Sequence, residues 1–152
     1  MILLEEYSEA YLAKSWEWLN DTQIKSLTNT TDFTKAEQQK WFLNLAKKVD
    51  YKIWGVSFDG VPIGVFGIKN IDLLCKEGEY WGYIGEKEYW GKGLGEIIIN
   101  EVLHIATFTL GLDCVYLKVL ESNKVARNLY KKCHFKEIRQ DNGIITMVKG
   151  LQ

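Results

Sequence analysis

Three glycines at alternating positions, Gly91, Gly93 and Gly95, stand at the head of a long apolar run that extends to about Leu110. Glycine lets the backbone approach a ligand closely and takes conformations closed to other residues. At a helix start several amide N–H groups have no internal partner and point outward, and the helix dipole adds partial positive charge. A turn of this make-up in this place suits an anion, and a pyrophosphate fits it. Lys92 adds a positive charge within the turn. The spacing is neither G-x-G-x-x-G nor G-x-x-x-x-G-K-S/T, so it is not a dinucleotide fingerprint or a P-loop. By spacing alone, a plain glycine-rich turn between a strand and a helix reads the same way.

Such a turn needs a strand before it and a helix after it. Gly78 to Gly85 reads as an aromatic-rich strand and Leu94 to about Leu110 as the helix. Upstream, Met1 to Leu4 is a short apolar strand. Ser8 is placed to cap a helix running to about Leu19, with Tyr11, Leu12, Trp16 and Leu19 on one face. Residues 21–32 are polar and rich in Thr, which predicts a loop or a broken second helix. Thr34-Lys35-Ala36-Glu37 is a capping box that opens a helix through about Lys47, with Trp41, Phe42 and Leu45 inward. Tyr51 to Phe58 and Val61 to Lys69 are strands around the turn Asp59-Gly60. Downstream come a strand, Cys114 to Val119, and a short helix, Asn123 to Cys133. Ile138 and Ile144 to Val148 suggest a closing hairpin around Asp141-Asn142-Gly143. The order β-α-α-β-β-β-α-β-α-β-β predicts one α+β domain with a mixed, mostly antiparallel sheet flanked by helices.

The 152 residues suit one domain. A hydrophobic content of 47% and a charged content of 26% are ordinary for a globular protein. A net charge of -1 gives no reason to expect nucleic acid as a partner. No apolar run approaches the roughly 18 residues that span a membrane. Met1 to Glu6 carries acids where a signal peptide carries Lys or Arg, so the expected location is cytoplasmic. Cys75, Cys114 and Cys133 are widely spaced, form no metal-ligand pattern and read as small, mostly buried residues. Neither His104 nor His134 has a spacing that supports a catalytic thiol. No metal is expected.

The stretch Tyr83-Ile84-Gly85-Glu86-Lys87-Glu88-Tyr89-Trp90-Gly91-Lys92-Gly93-Leu94-Gly95 resembles the acetyl-CoA-binding motif of the GNAT N-acetyltransferase superfamily, Q/R-x-x-G-x-G/A after a strand. Trp90 stands at the Q/R position. The resulting W-G-K-G form looks like that of the ribosomal-protein N-terminal acetyltransferase and sugar acetyltransferase branches. At the right distance downstream, Glu121 to Phe135 resembles the family segment N-x-x-A-x-x-L-Y-x-x-x-G-F, through Asn123, Ala126, Leu129, Tyr130 and Phe135. His134 replaces the usual Gly, so either it takes a left-handed conformation or the helix ends differently.

The resemblance implies roles. Tyr83, Ile84 and Gly85 would hold the pantetheine arm of acetyl-CoA by their backbone, with the Gly85 N–H facing the thioester carbonyl. Gly91, Lys92, Gly93, Leu94 and Gly95, with Glu96, would hold the pyrophosphate, and Asn123 would bond the cofactor from the other side. Tyr130 would be the general acid. Amine attack expels a thiolate, and a phenol with a pKa of about 10 stays protonated at neutral pH and can donate. For a general base, Glu79 lies four and six residues before Tyr83 and Gly85, on one face of a period-two strand, and can point into the acceptor cleft. Glu77 and Glu121 are weaker candidates, and the absence of a dedicated base is the alternative.

Aromatic side chains are many for this length: Trp18, Trp41, Trp54, Tyr80, Trp81 and Tyr83 among them. Aromatic faces suit sugar rings and nucleobases. Trp81 shares the face of Glu79 and is expected to bind the acceptor, together with Trp18 and Asn20. Trp16 to Asp21 resembles the W-x-N-D/H start of bacterial enzymes that acetylate nucleotide-linked 4-amino-6-deoxy sugars. The expected activity is acetyl transfer from acetyl-CoA to such an amine in surface-polysaccharide biosynthesis. The alternatives are a protein N-terminus, a small amine such as a polyamine, or a non-catalytic acyl-CoA-binding module. Small members of the superfamily are often homodimers, and the same is expected here.

Overall fold

Two residue pairs with left-handed backbone, Asp59-Gly60 (φ +48° and +83°) and Asn142-Gly143 (φ +50° and +77°), make the two tightest hairpins of the chain. Two-residue turns of this hand match the twist of the strands they join. The computed structural model describes residues 1–151. Its elements are β1 (Ile2–Glu6), α1 (Glu9–Asn20), α2 (Thr22–Leu27), α3 (Lys35–Asn44), β2 (Lys52–Phe58), β3 (Val61–Asp72) and β4 (Glu77–Ile84). There follow α4 (Leu94–Phe108), β5 (Cys114–Leu120), α5 (Lys124–Lys132), β6 (Lys136–Asp141) and β7 (Ile144–Gly150). This is the α+β order expected, with α2 added.

The strands form a 7-stranded sheet in the order β1-β2-β3-β4-β5-β7-β6. Every neighbouring pair is antiparallel except β4–β5. That parallel pair is short: Glu77, Gly78 and Glu79 face Cys114, Val115 and Tyr116, and there the pairing ends. From Tyr80 to Ile84, β4 keeps β3 on one side and has no strand on the other. The sheet therefore opens into a fork.

Each face of the sheet carries its own core. On one, α4 lays Ile98, Ile99 and Val102, all at 0% exposure, against Ile68, Tyr80 and Val115. On the other, Tyr7, Tyr11, Leu12, Trp18, Ile24 and Val65 form a smaller cluster, with Trp41, Phe42, Trp81 and Tyr83 half-buried around it. Helix α2 forms because the Asp21 carboxylate accepts from the amides of Gln23 and Ile24, and Ile24 then anchors it at 2% exposure. The Thr34–Glu37 capping box is complete at the start of α3. On α1 the buried face is Tyr11, Leu12, Ser15 and Trp18, so Trp16 lies aside against Phe33. Cys75 is exposed rather than buried. His134 takes the left-handed conformation, φ +72°, just beyond the end of α5. Among the described residues no helix is long and apolar enough to cross a membrane.

Candidate active site

The fork presents backbone groups, and the strand register decides which. The Gly85 amide donates to the Ile63 carbonyl at 2.7 Å, and the register runs unbroken from there to Lys69–Glu79. In an antiparallel pair the bonded residues alternate. Glu79, Trp81 and Tyr83 therefore turn their amides toward β3, and Gly82 and Ile84 turn theirs into the fork. The expectation that the Gly85 N–H faces a thioester carbonyl is corrected by this register, because that amide is already taken. The free donors are Gly82 and Ile84. Gly85 serves differently. A Cβ there would lie 2.1 Å from the Trp18 ring, which covers it. Gly85→Ala is expected to cost about 1–3 kcal/mol by overpacking, read as a lower melting temperature; an unchanged melt would contradict the close contact.

The turn that follows is pinned to the strand. The Trp90 indole N–H donates to the Ile84 carbonyl at 2.8 Å. Gly91 and Gly93 have φ of +73° and +76°, both are exposed, and nothing lies within 4 Å of where a Cβ would be. Gly93 is the N-cap of α4 and has no side chain to cap with, whereas Asp21, Thr34 and Asn123 cap α2, α3 and α5. The first-turn amides of Leu94, Gly95 and Glu96 are thus left for an external anion. Gly95 admits α5 closely, its Cβ position lying 3.1 Å from Leu129. The Lys92 ammonium sits over the Tyr89 ring at 5.6 Å, and Glu96 pairs with Lys132 at 2.9 Å.

Tyr130 projects from α5 toward the fork. Its ring meets Tyr80 of β4 edge-on at 6.1 Å and Phe135 at 6.0 Å. Its hydroxyl has no hydrogen-bond partner among the described residues. Burial, with Cys133 adding to it, pushes its pKa up to about 12. Asn123 caps α5 by accepting from the Ala126 amide at 3.2 Å, and its Nδ2 reaches the Leu27 carbonyl of α2 at 3.4 Å. Glu79 lies at the last paired position of the fork, opposite Tyr116, at 7% exposure. Asn70 donates to its Oε1 at 3.0 Å and the Lys69 ammonium lies 4.0 Å from its Oε2.

Across the sheet from Tyr130 is a cavity of about 350 Å³. Its floor is Val65, Trp81 and Tyr83 of the sheet; Ser15 and Leu19 of α1, Gln38 and Trp41 of α3, Tyr7 and the 30–33 loop wall it. Trp81 and Tyr83 are where the period-two pattern put them. The indole N–H of Trp81 is buried with no acceptor in bonding geometry. Trp18 and Asn20 do not reach the cavity. Trp18 is buried at 4% exposure under Gly85, and the Asn20 amide donates to the Trp16 carbonyl at 2.8 Å. Glu79 is not part of the wall either. Tyr7, Ser15 and Gln38 were not anticipated. One signal was present: Ser15 shares a helical face with Tyr11, Leu12 and Trp18, and a hydroxyl on an apolar face needs a partner.

The α4 turn and the fork together suit a ligand with a diphosphate at one end and an extended, amide-bearing arm at the other. Those are the features of a coenzyme A-dependent transferase. The chain belongs to the GNAT family of acetyltransferases: the family model described as "Acetyltransferase (GNAT) family" matches residues 12–135. It is an acetyl-CoA-dependent N-acetyltransferase. Acetyltransferase PseH of Campylobacter jejuni subsp. jejuni serotype O:2 is 26% identical over 138 residues, covering 89% of this chain and 85% of that protein. An N-alpha-acetyltransferase of Sulfurisphaera tokodaii is 28% identical over 92 residues, covering 60% of this chain and only 55% of that protein's length. The fold is shared with the crystal structure of Campylobacter jejuni PseH in complex with acetyl coenzyme A, at a TM-score of 0.79 and 22% identity over 100% of both chains. It is shared, at a higher TM-score of 0.86, with spermidine N-acetyltransferase from Vibrio cholerae in complex with CoA and spermine, 21% identical over 98% of this chain and 95% of that one.

Proposed function

We propose that the acceptor is the 4-amino group of a nucleotide-linked amino-deoxy sugar, held in the 350 Å³ cavity and acetylated by direct attack in a ternary complex. The observation that carries this reading is the cavity wall. It is built from aromatic rings, which suit the CH faces of a sugar, and it holds a single carboxylate, Glu37. One oxygen of Glu37 already accepts from the Thr34 amide at 2.9 Å. A polyamine, with several ammonium groups, would find little to pair with there. The similarity to PseH along most of both chains supports the same reading. A place in surface-polysaccharide biosynthesis, a cytoplasmic location and a homodimeric state belong to it. The rival acceptors are a protein N-terminus and a small polyamine.

In this reading Gly91 to Glu96 hold the pyrophosphate by backbone amides, and Asn123 closes the site from α5. The Gly82 and Ile84 amides stabilise the negative charge that develops on the thioester oxygen. Tyr130 gives its proton to the departing sulfur. Burial raises the pKa of the Cys133 thiol, which disfavours an acyl-thiol intermediate and favours direct attack. Glu79 lies outside the cavity wall, bonded by Asn70 and 4.0 Å from the Lys69 ammonium of β3, so the acceptor ammonium loses its proton to solvent. Glu79→Gln is therefore expected to leave the midpoint of the acid limb of kcat/KM where it is; loss of that limb would make Glu79 the base.

A thiol-release assay tests the acceptor. With acetyl-CoA saturating, a nucleoside diphosphate-linked 4-amino-4,6-dideoxyhexose is expected to exceed spermidine and a free-N-terminus peptide in kcat/KM by about tenfold or more. A higher value for either rival would replace this reading.

A further inference from the structure

The inner wall of the acceptor cavity contains a polar device that the reaction itself does not use. The Tyr7 and Ser15 hydroxyls lie 2.7 Å apart, in residues only 7% and 3% exposed, and both residues line the cavity. Tyr83 lies on the floor beside them, and burial raises its pKa, with Ser15 lowering it in part. Each hydroxyl brings one proton. Two hydroxyls joined by one bond leave one O–H with no partner in the chain. Buried polar groups are nearly always paired, by protein, water or ligand, so this O–H is open to an acceptor on a ligand that fills the cavity.

Several other polar groups of the wall are held by the chain, although the Gln38 Oε1 and the Thr31 hydroxyl have no partner among the described residues. The Gln38 amide donates to the Leu12 carbonyl at 3.1 Å, Thr30 shares its hydroxyl with Thr28 at 2.6 Å, and Glu37 sits exposed at the rim, capping α3. Among the described residues no Lys or Arg lines the cavity, so the diphosphate of a nucleotide-linked acceptor stays outside it and the ring alone enters. The pair is also rigid. Ser15 is fixed on the buried face of α1, and the Tyr7 ring is held edge-on by Trp41 at 5.8 Å, with Tyr11 at 6.3 Å behind it.

We infer that Tyr7 and Ser15 form the specificity anchor for the acceptor: their uncommitted O–H donates to an oxygen substituent of the sugar ring and so selects hydroxylated ring amines over deoxy and polymethylene amines. This rests on the sugar-acceptor reading above. Burial pushes the Tyr7 pKa up to about 12, so the pair remains neutral and able to donate at any working pH. An ammonium group offers donors only and cannot accept this O–H. A site built to bond a substrate hydroxyl rejects the analogue that lacks it much more strongly than an apolar pocket rejects one methylene.

The test is steady-state kinetics of the wild type, Tyr7→Phe and Ser15→Ala with a nucleoside diphosphate-linked 4-amino-4,6-dideoxyhexose and with its analogues each lacking one further ring hydroxyl. The wild type is expected to disfavour at least one analogue by about tenfold or more, the loss of one good hydrogen bond. Both variants are expected to raise the acceptor KM by about 5- to 10-fold and to reduce that discrimination to about 2-fold, with the KM for acetyl-CoA unchanged. The two variants alter different elements, and thermal melts show which is folded, so either alone reads out the anchor. Unchanged acceptor KM and unchanged discrimination overturn the anchor and leave the sugar reading standing. An equal rise in the KM for acetyl-CoA also overturns it, since the pair would then be structural. No turnover of the sugar by the wild type overturns both.

Discussion

Tyr130→Phe is expected to lower kcat by roughly 10²-fold or more while leaving the affinity for acetyl-CoA in place. Loss of a positioned proton donor has about that size. The substitution removes one oxygen and keeps the ring between Tyr80 and Phe135, so packing changes little. The hydroxyl has no bonding partner among the described residues, so its removal orphans nothing in the chain. The pH dependence follows with a definite sign. A phenol whose pKa is pushed up to about 12 is protonated throughout the neutral and mildly alkaline range. Tyr130 thus imposes no fall in rate as pH rises from 7 to about 10, and the only limb there is the rise as the acceptor ammonium deprotonates. Stopped-flow or steady-state rates for the variant, beside calorimetric binding of acetyl-CoA, check both halves. An unchanged kcat would remove Tyr130 from the acid role.

Gly93→Val is expected to weaken acetyl-CoA binding by about tenfold or more. A left-handed backbone costs a non-glycine residue roughly 1–2 kcal/mol, and a β-branched one more. At φ +76° the residue either bears that strain or shifts, and a shift moves the first-turn amides of α4 away from the phosphate. The Cβ itself meets nothing within 4 Å, so the loss comes from the backbone and not from a clash. Gly60→Val makes a useful companion, because φ +83° in the β2–β3 turn imposes similar strain far from the cradle. It should lower the melting temperature without affecting acetyl-CoA affinity. Calorimetry showing normal affinity for Gly93→Val would count against the cradle.

The parts of the site that depend on local chemistry were legible in the sequence. The Thr34–Glu37 box, the glycine turn before α4 and the two hairpin turns are short-range devices, and each is present. The left-handed His134 answered a question the sequence posed, since the position usually held by glycine still needs φ > 0. Helix α2 was half-visible: Asp21 as a cap and Ile24 as an anchor are separable from a loop only once the sheet gives Ile24 something to bury against. What could not be read was register. Period two puts Trp81 and Tyr83 on one face, but it does not say which amides β3 takes, so Gly85 was credited with a free N–H that it lacks. Trp18 and Trp81 look alike in sequence. Their fates differ because α1 rotates Trp18 onto Gly85 and leaves Ser15 and Leu19 to wall the cavity. The Tyr7–Ser15 pair joins residues eight apart across a helix start, a contact no short motif encodes.

In the proposed arrangement the acyl donor sits in the fork and the acceptor across β4, both held by one chain at one time. Two-substrate initial-rate kinetics test that arrangement most directly. With acetyl-CoA and the nucleotide-linked amino sugar varied against each other, direct transfer in a ternary complex predicts double-reciprocal lines that intersect. Parallel lines, the sign of an acetylated enzyme formed before the amine binds, would contradict it.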